Sequence, residues 1–167
     1  MAERAVDADG RLGRDVAIKI VPEAFTRDPE RLARFEREAK ILAGLNHGNI
    51  ATVHGLEEAD GRHFLVMELV EGETLAQRLE KGPIPLGELL ETATEISDGL
   101  DKAHRQGMIH RDLKPANILI TAQNIVKIMD FDLIQVVAID DQEKLFTGTP
   151  VYAAPEHFIP GYELDLK

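Results

Sequence analysis

Apolar and polar positions alternate along the chain in ways that mark out its elements. Residues 15–21, DVAIKIV, are rich in β-branched side chains and predict a strand that Pro22 ends. Leu32, Phe35, Ala39 and Leu42 then recur at helical spacing within RDPERLARFEREAKILAGL. Asp28 suits the N-cap of that helix, Pro29 its first helical position, and Gly44 its stop. IATVHGLEE and RHFLVMEL predict two strands, with Asp60-Gly61 as the hairpin turn between them. Thr74 and Gln77 have the spacing of a capping box, which opens a short helix that stops near Gly82. LGELLETATEISDGLDKAHRQG predicts a long amphipathic helix with an apolar stripe of Leu89, Ala93, Ile96, Leu100 and Ala103. NILI and IVKIM predict two short strands across a turn near Asn124. Strands with one helix, then mostly helix, then a small hairpin describe an α+β protein built as two lobes.

Composition narrows the functional classes. The 167 residues, 44% hydrophobic, suit one globular domain with a core of its own. Thirty acidic residues against 19 basic ones give a net charge of −11, which argues against nucleic acid or an anionic membrane as partner. The absence of Cys excludes disulfides and thiolate metal sites. The longest apolar run, FLVMELV, is short and interrupted by Glu68, so neither a membrane helix nor a signal peptide is expected and the default address is the cytosol.

Two segments carry candidate chemistry. HRDLKPANILI, residues 110–120, follows the long helix and enters a strand. Asp112, Lys114 and Asn117 there are three polar groups on a loop between apolar flanks, where catalytic groups tend to sit. KIMDFDLIQ, residues 127–135, sets Asp130 and Asp132 around Phe131. Taken singly, each residue has a plainer reading. The loop groups suit a solvated turn, Lys19 an edge strand, and Glu38 an ion pair with Arg34 on a wet helix face. His110 reads as a packed histidine behind the loop.

The whole string HRDLKPAN, positions 110–117, resembles the catalytic loop of protein kinases residue for residue. Other marks align with it: VAIK ending at Lys19, Glu38 on the next helix, Asp130-Phe131 at the expected distance past Asn117, GTP at 148–150 and APE at 154–156. DLKPAN resembles the serine/threonine branch, and the texture of the helices resembles its bacterial members. The resemblance implies a truncated two-lobe kinase-like fold, with residues 1–70 an N-lobe of sheet and one helix and residues 71–167 a partial helical C-lobe. It implies ATP and Mg²⁺ as cofactors and a protein Ser/Thr hydroxyl as acceptor. Lys19 would hold the α/β-phosphates and Glu38 would pin its ammonium, with Ala17 and Glu68 beside the nucleotide. Asp112 would take the substrate hydroxyl's proton, Lys114 would face the γ-phosphate, and Asn117 and Asp130 would hold Mg²⁺. Arg111 would pair with a phosphate on the activation segment, with Thr147 the candidate acceptor and Thr149 shaping the substrate platform.

Three departures stand against the family pattern. The last glycine of the phosphate loop usually lies about 17 positions before the lysine. That position is Ala2, so the first two glycines would precede residue 1, and Arg4 replaces the valine expected over adenine. Kinases continue for roughly a hundred residues of helices past APE, whereas this chain has 11 residues after Glu156. The second half is therefore expected to fold poorly alone, with the stripe of the 86–106 helix short of cover. Asp132 replaces the glycine of Asp-Phe-Gly and adds a charge near the nucleotide site. A pseudokinase or scaffold, or an inactive remnant, are the alternatives these departures support.

Overall fold

The computed structural model describes residues 3–5, 15–131 and 150–152. Asp132, Thr147, Thr149 and Glu156 lie outside the described residues. A four-stranded antiparallel sheet comes first, formed by β1 (Glu3–Ala5), β2 (Val16–Ile20), β3 (Val53–Ala59) and β4 (Arg62–Glu68) in the order β1-β2-β4-β3. Between β2 and β3 lie the short α1 (Glu23–Thr26) and α2 (Pro29–Ala43). Asp28 caps α2 as its side chain accepts from the amides of Glu30 and Arg31, and Gly44 is the C-cap. Asp60 and Gly61 both have positive φ, 50° and 72°, as a tight β3–β4 turn of the I′ kind requires.

The second region begins with β5 (Gly72–Thr74) and α3 (Leu75–Glu80), whose N-terminus carries the full Thr74/Gln77 capping box. The long α4 (Leu86–His104) follows, then a 3₁₀ turn (Pro115–Asn117), β6 (Ile118–Thr121) and β7 (Val126–Ile128). These strands form a second antiparallel sheet, ordered β5-β6-β7. Gly72 permits the β5–β6 pairing, because a Cβ there would overlap the Ile120 carbonyl.

One apolar core joins the two regions. Phe35, Ala39, Leu42, Leu45, Ile50, Val53 and Leu65 pack in a cluster with Ala103, Met108, Ile128 and Phe131. Segment 49–51 reaches β7 directly through a parallel bridge between Ile50 and Ile128.

Helix α4 keeps the expected stripe at Ile96, Leu100 and Ala103 and departs from it at Leu89 and Ala93. Its buried positions are Thr92, Gly99 and Ala103, while Leu89 is 46% exposed and Ala93 is also exposed. Ile96 and Leu100 pack only partly against the core. A Cβ on Gly99 would sit 2.9 Å from Ile128 Cδ1 and 3.3 Å from the Asn49 carbonyl. Gly99 thus allows close approach on the side where Glu95 bonds β7, and Thr92 is buried as well. Leu86 and Leu90, at 70% and 58% exposure, remain on the surface.

Candidate active site

Strand β2 places Ala17 and Lys19 on one face, two residues apart. The Arg4 backbone pairs with Ala17 on one side and that of Met67 on the other. Lys19 Nζ donates to Asp130 Oδ1 at 3.4 Å, joining the first sheet to the segment after β7. Asp130 has φ of +56°, a left-handed conformation that aspartate tolerates better than most residues. Glu38 lies on α2 partly exposed, and no ion pair between Lys19 and Glu38 forms among the described residues. The expected partner of the Lys19 ammonium is Glu38, whereas the carboxylate beside it here is that of Asp130. Lys19 has a carboxylate partner in Asp130, and among the described residues Glu38 has no ion-pair partner.

The loop groups are bonded to one another. Lys114 Nζ donates to Asp112 Oδ2 at 2.6 Å. Asn117 Nδ2 donates to the Asp112 carbonyl at 2.8 Å and to Asp112 Oδ2 at 3.2 Å. The 3₁₀ turn makes this possible by folding Asn117 back over Lys114, whose carbonyl accepts from the Asn117 amide at 2.9 Å.

His110 anchors the loop from behind and is 2% exposed. Its Nε2 lies 2.8 Å from the Met129 carbonyl and its Nδ1 accepts from the Asp112 amide at 3.3 Å. A carbonyl can only accept and an amide N–H can only donate, so the imidazole carries its proton on Nε2. Its ring lies 4.7 Å from that of Phe131, whose side chain is buried in the core. His110 thereby couples Asp112 to the residue before Asp130. Arg111 adopts φ of +65° between them.

Glu68 ends β4. Its carboxylate accepts from the Thr52 amide at 3.0 Å and pairs with Lys127 of β7 at 3.0 Å. Burial pushes this carboxyl up, but the Thr52 amide and the Lys127 ammonium outweigh it and hold the group below the ordinary carboxylate value. With both partners engaged, a contact from Glu68 to a nucleotide would come from its backbone. A cavity of about 360 Å³ opens beside this corner, lined by Asp15, Glu68, Leu69, Val70, Glu71, Thr121 and Gln123. None of Lys19, Asp112, Asn117 or Asp130 lines it.

Sequence reasoning missed three residues that brace this region: Asn49, Glu95 and Lys127. They sit within ordinary polar positions of a loop, a helix and a strand, and only their partners across the fold distinguish them.

The donor set suits a hard cation. Asn117 uses its Nδ2 toward Asp112, and neither its Oδ1 nor Asp130 Oδ2 accepts a hydrogen bond among the described residues, which leaves two oxygen ligands of the kind magnesium prefers. Among the described residues no three His, Cys, Asp or Glu side chains converge as a metal cage. Magnesium does not require one, since it commonly shares phosphates and waters with one or two carboxylates.

A sheet-bearing lysine that faces an aspartate across to a loop of the Asp-x-Lys-x-x-Asn form defines a kinase-type phosphotransfer fold. Residues 7–163 match the protein kinase domain family, and the chain belongs to it. Among its relatives is the serine/threonine-protein kinase PknA of Mycobacterium tuberculosis, 44% identical over 156 residues, covering 89% of this chain and 36% of PknA. PknB of Mycobacterium leprae is 39% identical over 164 residues, covering 93% of this chain and 26% of PknB. The chain thus spans only about a quarter to two fifths of such curated relatives. The solved Mycobacterium tuberculosis PknI kinase domain superposes with a TM-score of 0.63 at 34% identity, covering 74% of this chain and 49% of that one. The solved structure of Rad53 residues 1–466 in complex with AMP-PNP gives a TM-score of 0.70 at 32% identity, covering 87% of this chain and 35% of that one. No described helix is long and apolar enough to cross a membrane.

Proposed function

We propose that this chain is the catalytic part of a Mg²⁺- and ATP-dependent protein serine/threonine kinase. The observation that carries the reading is the Asp112–Lys114–Asn117 cluster, bonded together and tied through His110 to the segment that ends in Asp130. When bound, Mg²⁺ would neutralise charge on the phosphates that are to be parted. Asn117 Oδ1 and Asp130 are the groups that would hold it, and Lys19 would release Asp130 in part to meet the phosphates. Asp112 Oδ2 would accept the proton of a serine or threonine hydroxyl and aim its oxygen along the line of attack. Lys114, already on that carboxylate, would turn to the transferred phosphoryl group. The nucleotide on the Rad53 neighbour supports the choice of ATP.

The unpaired arrangement of Lys19 and Glu38, with Asp132 in the glycine's place, favours a second reading. In it the domain binds nucleotide or a partner without transfer. One assay on the full-length protein separates the two. Labelled ATP with Mg²⁺ and a Ser/Thr-containing protein substrate should give phosphoserine or phosphothreonine with wild type and none with Asp112→Asn. A thermal shift with Mg·ATP but no transfer by wild type would establish the second reading instead.

A further inference from the structure

Strand β7 leads into Asp130 and lies at the edge of its sheet. Edge strands ordinarily leave a row of backbone groups to water. Here Lys127 faces β6, and Val126 and Ile128 turn their N–H and C=O groups outward. All four outward groups are bonded. The Val126 amide donates to Glu95 Oε2 at 2.9 Å, and its carbonyl accepts from Asn49 Nδ2 at 3.0 Å. The Ile128 amide donates to the Asn49 carbonyl at 2.8 Å, and its carbonyl accepts from the Ala51 amide at 2.9 Å.

Glu95 is the hub of this edge. The same Oε2 that holds Val126 also accepts from Asn49 Nδ2 at 2.6 Å. One carboxylate oxygen on α4 therefore gathers a loop that follows α2 and a strand that ends beside the loop 110–117. Bonds to a charged acceptor are shorter and stronger than neutral ones. Gly99, one turn further along α4, admits the loop backbone to this face. His47 Nδ1 accepts from the Asn49 amide at 3.2 Å and steadies the loop from its other side.

Past Ile128 the chain stays held. The Met129 amide donates to the Asn117 carbonyl at 2.9 Å, and the Met129 carbonyl accepts from His110. Asp130 follows with its left-handed φ. A shift of β7 along or away from α4 has no slack to absorb it before Asp130.

We propose that Glu95 is a positioning residue for the metal-holding carboxylate of Asp130, acting through Asn49 and β7 without touching nucleotide. This rests on the kinase reading for the role of Asp130, and on geometry alone for the anchoring of β7. Groups bonded directly to a metal ligand change metal affinity by about 10–100-fold when removed, and Glu95, which acts four residues before Asp130, is expected at the low end of that range. Gln at position 95 keeps an acceptor oxygen in the same place. Leu, of similar size, removes it, strands the Val126 amide and leaves the Asn49 side chain with only the Val126 carbonyl.

The test compares the full-length protein with its Glu95→Gln and Glu95→Leu variants, and with Asn49→Ala in case the Leu variant does not fold. Amide hydrogen exchange reports on 47–52 and 124–131, and a Mg²⁺ titration at fixed ATP reports on metal-dependent nucleotide binding. The Gln variant should match wild type in both. Glu95→Leu, or Asn49→Ala, should speed exchange in both segments and raise the half-saturating Mg²⁺ concentration about tenfold. Unchanged exchange in both disrupted variants, or faster exchange with an unchanged Mg²⁺ requirement, overturns the proposal, as does a Gln variant that behaves like Leu. Wild type that binds no Mg·ATP would sink the kinase reading and the metal role with it, while the exchange comparison would still decide the anchoring.

Discussion

The two halves of the site are held together in different ways. On the loop side, Asp112, Lys114 and Asn117 lie within six residues of sequence and bond to one another. A buried histidine fixes them from behind. On the sheet side, Lys19 finds its partner 111 positions away in Asp130, and Glu38 does not engage it. A local cluster is set once its own turn forms. A distant one depends on how α2 and the first sheet sit over the second region. The loop half is therefore set by its own turn, whereas the lysine half rests on contacts made across the fold.

The largest expected effect tests the loop half. Asp112→Asn keeps the shape and removes the base, so phosphoryl transfer by the full-length protein should fall about 10²–10⁴-fold. Nucleotide affinity should stay close to wild type. A variant that loses binding in parallel would mean that Asp112 holds the loop together and does more than accept a proton.

Next come changes to the frame that carries the loop. Ile128 is fully buried where the two regions share a core, and Ile128→Ala should destabilise the fold by about 2–5 kcal/mol in chemical denaturation. Gly72→Ala would force β5 away from β6, the strand that begins just after Asn117. A loss of about 1–3 kcal/mol is expected. If the loop half is as independent as its local bonds imply, the Asp112 amide should remain protected from exchange in the Gly72 variant.

Smaller effects belong to the sheet side. The Glu68 carboxyl titrates below its ordinary value because Thr52 and Lys127 outweigh its burial. Its contribution to stability is therefore present above the ordinary carboxylate value and lost as pH falls through the depressed folded value. Lys127→Ala should flatten that acid limb of a stability-versus-pH curve. Because the pair is partly exposed, the difference should not exceed about 1 kcal/mol. Smallest of all, Glu38→Gln should change the stability of the nucleotide-free protein by less than about 0.5 kcal/mol, since Glu38 has no bond to Lys19 to lose. A larger loss would show that the pair forms in solution.

Much of this architecture was legible in the pattern of residues. The Asp28 cap, the Asp60-Gly61 turn, the Thr74/Gln77 box and the β6–β7 hairpin fall where local chemistry puts them. The loop groups were legible because their chemistry is contiguous. Strands β1 and β5 were not, since three residues carry too little periodicity and form only by pairing with distant neighbours. The facing side of α4 was read correctly at Ile96, Leu100 and Ala103 but not nearer its N-terminus. Apolar periodicity points to Leu89 and Ala93, but Thr92 is the buried residue there and Glu95 bonds β7. Glu95 and Asn49 matter through hydrogen bonds to strand backbone, which leave no imprint on hydrophobic spacing. Spacing places Glu38 on the expected helix but does not by itself fix which carboxylate meets Lys19.

Amide hydrogen exchange of the full-length protein with and without Mg·ATP tests this contrast most directly. Residues 110–117 should be protected without nucleotide and change little on adding it. Residues 16–20 and 29–43 should gain protection as Lys19 turns to the phosphates and α2 brings Glu38 toward it. An unprotected loop in the absence of nucleotide, or an α2 indifferent to Mg·ATP, would contradict the division of the site into a half set by its own turn and one that rests on contacts across the fold.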